Sequence, residues 1–225
     1  MEIEYLEYLG SIHIGVAILC TEDFSFLPNN SPQRMKTIVK TITKTNVVEL
    51  SEYIIGSLMV GNSFGFVVSN VITPEVLTKI KITGLNVYQV PEFFAFGNVV
   101  LANDFGGIIS PIIPPKIRKQ IGDTLNIPLE TRTLAKSDLV GSLAYVTNYG
   151  GLITPLAEEE EVKEIKEILH LKEIGVGSIN RGSEFVASGI VGNTKGILLG
   201  RETTGIEIME ITRCFTRPER GEVGA

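Results

Sequence analysis

The chain of 225 residues contains no tryptophan, only two cysteines and two histidines, and fewer basic than acidic residues, with 20 Lys and Arg against 26 Asp and Glu. The formal net charge of −6 at pH 7 disfavours nucleic-acid binding by phosphate neutralisation, because that mode needs a basic face. The same charge favours a basic partner. Glycine is abundant, with 23 residues, which indicates many tight turns.

The scarcity of cysteine and histidine bears on metals and disulfides. Cys20 and Cys214 stand far apart within apolar runs, and the chain has no C-x-x-C pair. Two histidines supply too few ligands for a zinc site, so we expect neither a metal nor a cofactor. Two buried, reduced thiols are the expected state, although the sequence leaves a disulfide open.

Targeting and membrane segments are also missing. The N-terminus is acidic, with Glu2 and Glu4, whereas a signal peptide begins with basic residues. No apolar stretch comes near the 18 residues that a membrane span requires. We therefore expect a cytoplasmic protein.

An internal repeat organises the sequence. An Asn-x-x-Gly tetrapeptide recurs at spacings of 41, 45 and 45 residues, beginning at Asn62, Asn103, Asn148 and Asn193. One further step of 41 residues back from the first copy reaches Thr21. A small residue lies six positions before each of these five anchors, namely Gly15, Gly56, Gly97, Ser142 and Ala187. Units of this length are typical of repeat architectures. They predict a single domain over 1–225 with five repeats, approximately 1–51, 52–92, 93–136, 137–182 and 183–225.

Each unit has the same pattern of elements. A β-branched run meets the Asn-x-x-Gly turn and a second short run follows, which predicts a β-hairpin. Thr73-Pro74 and Thr154-Pro155 are typical helix starts, and a short strand closes the unit. In the fourth unit Ile165 and Leu169 share one helical face. The fifth unit lacks a clear helix, and residues 206–215 are predicted as an alternating strand.

The period also fits a β-propeller blade. Four of the five units, however, contain an amphipathic helix, and no Gly-His or Trp-Asp signature is present. Helical solenoids are excluded because half of each unit is strand. The sequence therefore predicts an α/β ring of five hairpin–helix–strand modules with approximate fivefold symmetry, in which ring closure makes capping repeats unnecessary.

Several segments resemble one known family. They are residues 55–62, residues 101–104, Val-Gly-Ser at 140–142 with Asn-Tyr-Gly-Gly-Leu at 148–152, and Ile-Asn-Arg-Gly-Ser-Glu at 179–184. Together they resemble the translation initiation factor 6 family, and the resemblance covers nearly the whole chain. It implies the pentein fold, a five-module α/β propeller. The chain ends soon after Phe215, as archaeal members do.

The resemblance implies a function without catalysis. Family members bind the large (50S) ribosomal subunit and block joining of the small (30S) subunit, and eukaryotic members also act in large-subunit biogenesis. The implied partners are mainly ribosomal protein L14, then ribosomal protein L24e and the sarcin–ricin loop of rRNA, with this chain acting as a monomer. The matching contact positions are Ser57, Asn62, Ser63, Asn103, Asp104, Asn148, Tyr149 and Asn193. Eukaryotic members carry arginine in place of Ser57 and Ser63.

Two alternatives stay open. The same fold hosts guanidine-modifying hydrolases that use a cysteine nucleophile in the last module, where Cys214 lies, together with a histidine and carboxylates. Those enzymes have Asp two residues after the histidine, whereas the second residue after His170 in this chain is Lys172. The second alternative is a scaffold protein with no ribosomal role.

Charged and glycine-rich segments have simpler explanations than ligand binding. The run Glu158 to Glu161 suits a helix N-terminus and a solvated face. Arg213, Arg217 and Arg220 make the C-terminus locally basic, which we interpret as solubilising charge. Gly-Val-Gly at 175–177 ends a helix–strand connection and does not open a helix, so it is not a dinucleotide loop.

Overall fold

The computed structural model describes residues 1–217; residues 218–225, including Arg220 of the basic C-terminus, lie outside the described part. Five three-stranded sheets make up the β structure of the described residues. In every sheet an antiparallel hairpin supplies the first two strands, and a third strand pairs in parallel with the second. A helix connects the second and third strands in four modules. The predicted α/β pentein ring of hairpin–helix–strand modules is thereby confirmed.

The elements fall into five sets, and each set has the same place in successive modules. The inner strands are β2 (Leu19–Cys20), β5 (Met59–Gly61), β8 (Val100–Ala102), β11 (Ala144–Val146) and β14 (Ile190–Gly192). The middle strands are β3 (Phe24–Pro28), β6 (Gly65–Val68), β9 (Gly107–Ile109), β12 (Gly150–Ile153) and β15 (Gly196–Gly200). The outer strands are β4 (Asn46–Leu50), β7 (Asn86–Gln89), β10 (Leu129–Thr131), β13 (Glu173–Val176) and β1 (Glu2–Leu6).

Two sets of helices complete the modules. The long helices on the outside are α2 (Gln33–Thr43), α4 (Pro74–Lys81), α6 (Pro115–Leu125), α7 (Glu159–Ile168) and α8 (Gly205–Phe215). Short helical turns precede four of the inner strands, namely α1 (Ile14–Ala17), α3 (Ile55–Leu58), α5 (Phe96–Val99) and the 3-10 turn Val186–Gly189. In four modules the predicted hairpin is therefore preceded by a helical turn that leads into the inner strand.

The ring closes through the N-terminus. Strand β1 pairs in parallel with β15, from Glu2 opposite Gly196 to Leu6 opposite Gly200. The first residues of the chain therefore supply the outer strand of the fifth sheet, which no segment after α8 supplies within residues 1–217. Closure by hydrogen bonds leaves the ring without a free end module.

Each hydrophobic cluster is shared by two neighbouring modules. Val67 of the second module packs with Phe96, Ile109 and Ile121 of the third. Phe26 and Leu50 of the first module pack with Phe66 and Ile80 of the second. Equivalent clusters fill the other three boundaries. A hydrophobic cluster therefore lies at every boundary between modules, and each module buries its apolar side chains against its two neighbours.

The fifth helix corrects the sequence prediction. Residues 206–215 form helix α8 and not a strand. Thr204 is its N-cap and accepts from the backbone N–H of Glu207, whose carboxylate accepts in turn from the backbone of Thr204. This capping box is a helix-start signal that the sequence already contains. The alternating apolar residues that favoured a strand also fit a helix, in which Ile211, Cys214 and Phe215 form a buried stripe.

The predicted helix starts had mixed outcomes. Thr73 is the N-cap of α4, accepts from the Val76 backbone N–H at 3.4 Å, and is followed by proline at the first helical position, as predicted. Thr154-Pro155 is not a helix start, because α7 begins at Glu159 after the N-cap Glu158. Thr154 is instead fully buried at the end of β12. The predicted apolar face of α7 is confirmed, with Ile165 and Leu169 buried.

Candidate functional site

The ring has two ends, and chain direction decides which segments lie at each. The inner strand of each module runs toward the hairpin turn, and the middle strand runs back from it. The long helix runs toward the end with the turn again, and the outer strand runs parallel to the middle strand, away from that end. We call the end with the five hairpin turns (residues 21–24, 62–65, 103–106, 147–150 and 193–196) the turn end. We call the other, where loops 7–13, 51–54, 91–95, 133–139 and 178–185 enter the inner ring, the open end.

The turn-end asparagines lock neighbouring modules together. The Asn62 side-chain oxygen accepts from the backbone N–H groups of Phe64 and Gly65, which closes its own turn. Its amide nitrogen donates to the main-chain oxygens of Leu125, at 2.8 Å, and Asn103, at 3.1 Å, in the next module. Leu125 is the last residue of α6, so Asn62 satisfies a carbonyl that a helix C-terminus leaves open.

The same contact recurs around the ring. Asn103 donates to the main-chain oxygen of Leu169 at 2.8 Å, and Asn193 donates to that of Thr43 at 2.9 Å. Both acceptors lie at the C-terminal end of the next module's long helix. These three asparagines are buried, with 3%, 5% and 2% of their surface exposed for Asn62, Asn103 and Asn193. Their side-chain amides therefore make their hydrogen bonds inside the ring.

The fourth anchor is Thr147 and not Asn148. The Thr147 backbone N–H donates to the main-chain oxygen of Gly150, as Asn103 does to Gly106 and Asn193 to Gly196. The corresponding small residue is then Gly141 and not Ser142, so the true anchors are spaced 41, 41, 44 and 46 residues apart. Asn148 stands one position later and is free for another role.

The residue after each anchor forms a second hydrogen-bonded tier. The Asp104 carboxylate accepts from the Ser63 backbone N–H and hydroxyl at 2.8 and 2.7 Å, and from the Asn148 amide at 2.6 Å. Thr194 donates in the same way to Glu22. The next residues, Phe64, Phe105 and Tyr149, face outward, with Phe64 and Phe105 well exposed and Tyr149 half-buried.

The structure does not bring the eight sequence-predicted contact residues together. Ser57 lies in α3 at the open end, separated from Asn62 by the length of β5. The other seven lie at the turn end. Three of them are the buried asparagines that bond to the next module, and four reach the surface, namely Ser63, Asp104, Asn148 and Tyr149. Asn62, Asn103 and Asn193, three of the contact positions that the resemblance implies, are thus buried, because their amides are needed to satisfy helix carbonyls.

The open end contains a cavity of about 330 Å³ on the ring axis. Four glycines line its wall at positions where the backbones of adjacent modules are in contact. A Cβ added to Gly56 would overlap the main-chain oxygen of Gly15, and one added to Gly97 would overlap that of Gly56. Gly141 stands in the same relation to Gly97, and Gly15 to Ala187. Ser57, next to Gly56, lines the mouth of this cavity.

Exposed apolar side chains lie on the loops at the same end of the ring as the cavity. Each of the five open-end loops presents at least one large apolar residue to solvent, namely Leu9, Tyr53 with Ile54, Phe93, Leu139 and Phe185. Phe93 is 62% exposed and Tyr53 59% exposed. Several such residues at one end of the ring are typical of an interaction site, whereas isolated exposed apolar residues are ordinary.

The same loops are acidic. Each carries one carboxylate, and the five are Glu7, Glu52, Glu92, Asp138 and Glu184. The basic side chains of these loops are Lys136 and Arg181. Burial raises the pKa of Glu52. A surface that combines exposed apolar side chains with an excess of carboxylates is the complement of a basic protein surface that also has apolar residues. We call the loop residues named in this and the preceding paragraph the open face.

The open face has no catalytic constellation among the described residues. Residues 1–217 contain no group of three His, Cys, Asp or Glu side chains able to hold a metal ion. No helix in that part of the chain is long and apolar enough to cross a membrane. His13 reaches the mouth, where its Nδ1 lies 3.2 Å from the Ser188 hydroxyl oxygen.

Cys214, the candidate nucleophile, lies elsewhere. It is fully buried in α8 and free of a disulfide, as is the half-buried Cys20. Burial raises the pKa of the Cys214 thiol to about 12, and the nearby Glu210 carboxylate acts in the same direction. A working nucleophile needs a lowered pKa, so this environment is the reverse of what catalysis requires.

Comparison with known proteins identifies the family. The model of the eIF-6 family matches residues 3–214. The chain belongs to the eIF-6 family. Archaeal relatives named translation initiation factor 6 agree with this. The one from Methanocaldococcus jannaschii is 35% identical and the alignment covers 91% of this chain and 93% of the relative. The relative from Pyrobaculum arsenaticum is 32% identical, and the alignment covers 92% of this chain and 95% of the relative. The relative from Methanobrevibacter smithii is 38% identical, and the alignment covers 88% of this chain and 91% of the relative. The chain is therefore a translation-factor homologue.

Among solved structures, a dimethylarginine dimethylaminohydrolase in an adduct with S-methyl-L-thiocitrulline is similar at 11% sequence identity and a TM-score of 0.49, covering 78% of this chain and 73% of that one. At this level the likeness carries no functional argument. Membership of the eIF-6 family thus rests on the sequence matches.

Sequence reasoning found only Ser57 of the open end. It missed the apolar residues of the five loops because they occupy segments of different length and sequence, with no shared motif. A partial signal was present, since each loop ends two positions before the small residue that lies six positions before the anchor. Only ring closure shows that these segments face the same way.

Proposed function

We propose that the chain binds the large (50S) ribosomal subunit through its open face and sterically prevents joining of the small (30S) subunit, with a role in large-subunit biogenesis. The proposed partners are chiefly ribosomal protein L14, then ribosomal protein L24e and the sarcin–ricin loop. The observation that carries this proposal is the set of exposed apolar residues on five acidic loops at one end of the ring, in a member of the eIF-6 family.

Charge and shape support a protein partner over bare RNA. The open-face loops carry five carboxylates against two basic side chains, which suits a basic ribosomal protein and repels phosphates. Stable protein interfaces of standard size bury about 1,600 Å² in total, and binding of this kind requires no chemical step. A disc docked on the subunit interface occupies volume that the small subunit needs.

A non-enzymatic role is part of this proposal. The buried Cys214 thiol has a pKa raised to about 12, and its neighbours in α8 include the Glu210 carboxylate. Guanidine-modifying chemistry through Cys214 would require an accessible thiolate. The geometry therefore favours a binding protein.

Co-sedimentation with separated ribosomal subunits tests the proposal. The wild-type protein should travel with the large subunit and not with the small one, and the peak of joined ribosomes should fall when it is added. Absence from the large-subunit fraction at moderate salt would refute the proposed function.

A matched pair of variants tests the face. Phe93→Ser removes an exposed ring at the open end, and Phe105→Ser removes one at the turn end, where it is 48% exposed. We expect Phe93→Ser to weaken large-subunit binding at least tenfold, since anchors of this kind contribute about 1–2 kcal/mol or more. Phe105→Ser should bind like wild type. The opposite result would assign docking to the turn end, with Ser63, Asp104, Asn148 and Tyr149.

A further inference from the structure

Three of the open-end loops contain a tight turn in a left-handed backbone conformation. Main-chain hydrogen bonds close these turns, between Tyr8 and Ser11, between Leu134 and Ser137, and between Ile179 and Ser183. In the first turn the second left-handed residue is Gly10, which adopts this conformation without strain. In the other two turns it is Lys136, with a φ angle of 61°, and Arg181, with a φ angle of 64°. Because a Cβ meets the following carbonyl oxygen in this conformation, these two turns need support from their surroundings.

A glutamate supports the turn of the fourth module. The backbone N–H of Ala135, the first left-handed residue of this turn, donates to Glu161 Oε1 at 2.9 Å. The other oxygen of the same carboxylate, Oε2, accepts from the backbone N–H of Glu158, the N-cap of α7, at 2.9 Å. The two oxygens of Glu161 therefore serve two elements, the entry loop of the module and its long helix.

Glu207 has the same two roles in the fifth module. Its carboxylate accepts from the backbone N–H groups of Arg181 and Gly182, at 3.2 and 2.9 Å. It also accepts from the backbone N–H of Thr204, the N-cap of α8, at 2.7 Å, and from the Ser178 hydroxyl at 2.8 Å. Only 8% of Glu207 is exposed, so these donors take the place of water around the charge.

The two glutamates hold equivalent positions. Each is the third residue of the long helix of its module. Helix α2 of the first module has Met35 at this position, and the turn of that module contains Gly10. A carboxylate is thus present where the second residue of the turn carries a charged side chain, and an apolar residue replaces it where glycine relaxes the turn.

We propose that Glu161 and Glu207 are positioning residues for the open face. Each uses one carboxylate to cap a long helix and to hold the adjacent turn in its left-handed conformation, which fixes the places of Lys136 and Arg181. This inference rests on the proposed function, because it concerns how the open face is shaped for its partner. A turn that is fixed before binding does not have to be ordered on association, so both glutamates raise large-subunit affinity without touching the partner.

Both oxygens of the carboxylate are needed for this double role. A glutamine would keep one oxygen and would turn an NH₂ group, which only donates, toward a backbone N–H. Glutamine is as suitable as glutamate in a capping box. Glu161→Gln therefore keeps an acceptor for the N-cap of α7 and loses the acceptor for Ala135, so the substitution separates the two roles.

Glu161→Gln, alone and combined with Ala135→Gly, tests the inference. Ala135→Gly removes the strain at one left-handed position without changing a charged side chain. Glu160→Gln is the matched control, because it removes one negative charge from the same first turn of α7, where Glu160 pairs with Lys163 at 3.6 Å. Thermal unfolding identifies the variants that fold, and titration with large subunits gives the affinity of each.

Amide hydrogen exchange reports the turn directly. The Ser137 backbone N–H donates to the Leu134 main-chain oxygen across the turn at 2.9 Å, so its exchange rate rises when the turn opens. We expect Glu161→Gln to speed this exchange and to weaken large-subunit binding, each by about fivefold, the factor that corresponds to the lower limit of left-handed strain. Adding Ala135→Gly should restore both, because glycine forms the turn without a carboxylate. Glu160→Gln should change neither.

Glu207→Gln extends the test to the fifth module, where we expect a larger loss of affinity because the carboxylate holds two N–H groups of the turn. If Glu207→Gln does not fold, the Glu161 variants decide. Folded Glu161→Gln and Glu207→Gln proteins that bind like wild type would overturn the positioning role and leave the proposed function intact. A loss of affinity that Ala135→Gly does not restore would do the same, since it would assign the effect to the cap of α7. Failure of the wild type to bind would overturn both.

Discussion

The Asn103 side chain donates to the main-chain oxygen of Leu169 across a module boundary at 2.8 Å. Its own oxygen meanwhile accepts from the backbone N–H groups of Phe105 and Gly106. A single amide therefore closes a hairpin turn and caps the helix of the next module. Turn chemistry alone would explain the asparagine, but the burial of its side chain shows that the motif also holds the ring together.

Removal of this lock should destabilise the ring. Asn103→Ala leaves the main-chain oxygens of Leu169 and Thr147 without their donor. With about 1–3 kcal/mol for each buried polar group left unpaired, we expect the free energy of unfolding to fall by about 2–4 kcal/mol in urea denaturation. Asn70→Ala, at an exposed asparagine, is the control and should change it by less than about 0.5 kcal/mol. A loss of stability for Asn103→Ala no larger than that of the control would contradict this role of Asn103.

The inner ring should reject even a methyl group. A Cβ at Gly97 would overlap the main-chain oxygen of Gly56, and backbone atoms in a closed ring cannot move aside. We expect Gly97→Ala to lower the free energy of unfolding by about 3 kcal/mol or more. Gly205→Ala makes the same chemical change in open space at a helix start. It should raise stability by about 0.4–1 kcal/mol. Calorimetry compares the two, and a mild effect at Gly97 would mean that the modules can separate.

The Glu207 carboxylate predicts a pH dependence. Burial raises its pKa, but the backbone N–H donors of Thr204 and Gly182 and the Ser178 hydroxyl outweigh burial, so the pKa lies below its usual range. A carboxyl with a lowered pKa in the folded state stabilises that state above its unfolded pKa, and the contribution is lost as pH falls through the folded value. The stability advantage of wild type over Glu207→Gln should therefore be full at pH 7 and shrink between about pH 5 and 3.

Urea midpoints measured at several pH values for both proteins check this dependence. Glu2→Gln is the control, because that carboxylate is exposed at the start of β1, away from any helix terminus, and should leave the pH profile unchanged. A constant difference between wild type and Glu207→Gln across the range would contradict the prediction. Loss of the advantage at rising pH would do so as well.

Both cysteines should resist alkylation in the native protein. Burial raises the pKa of the Cys20 and Cys214 thiols to about 12 each. At neutral pH the thiolate fraction is then about 10³-fold below that of an unperturbed cysteine, and the rate with iodoacetamide should fall accordingly. Mass spectrometry follows labelling, and the denatured protein, in which both should react, is the control. Rapid Cys214 labelling that a guanidino compound suppresses would instead favour the hydrolase alternative.

The ring could be predicted from sequence because its repeats share local signals. The Asn-x-x-Gly spacing, the proline after Thr73 and the apolar stripe of α7 are all set by neighbouring residues. Helix α8 was missed although its capping box, Thr204 with Glu207, is equally local. Its apolar residues fit a strand as well as a helix, and short runs of this kind are ambiguous in period.

The sequence by itself determined the module and its number of copies, because hairpin turns, helix caps and apolar periodicity depend on residues close together in the chain. Only the tertiary structure decided which side chains face a partner. It placed the asparagines inside, made Thr147 and not Asn148 the fourth anchor, and brought the loops of Tyr53, Phe93, Leu139 and Phe185 to the end of the ring that contains the cavity. Those residues are far apart in sequence, and ring closure alone brings their loops to a common end.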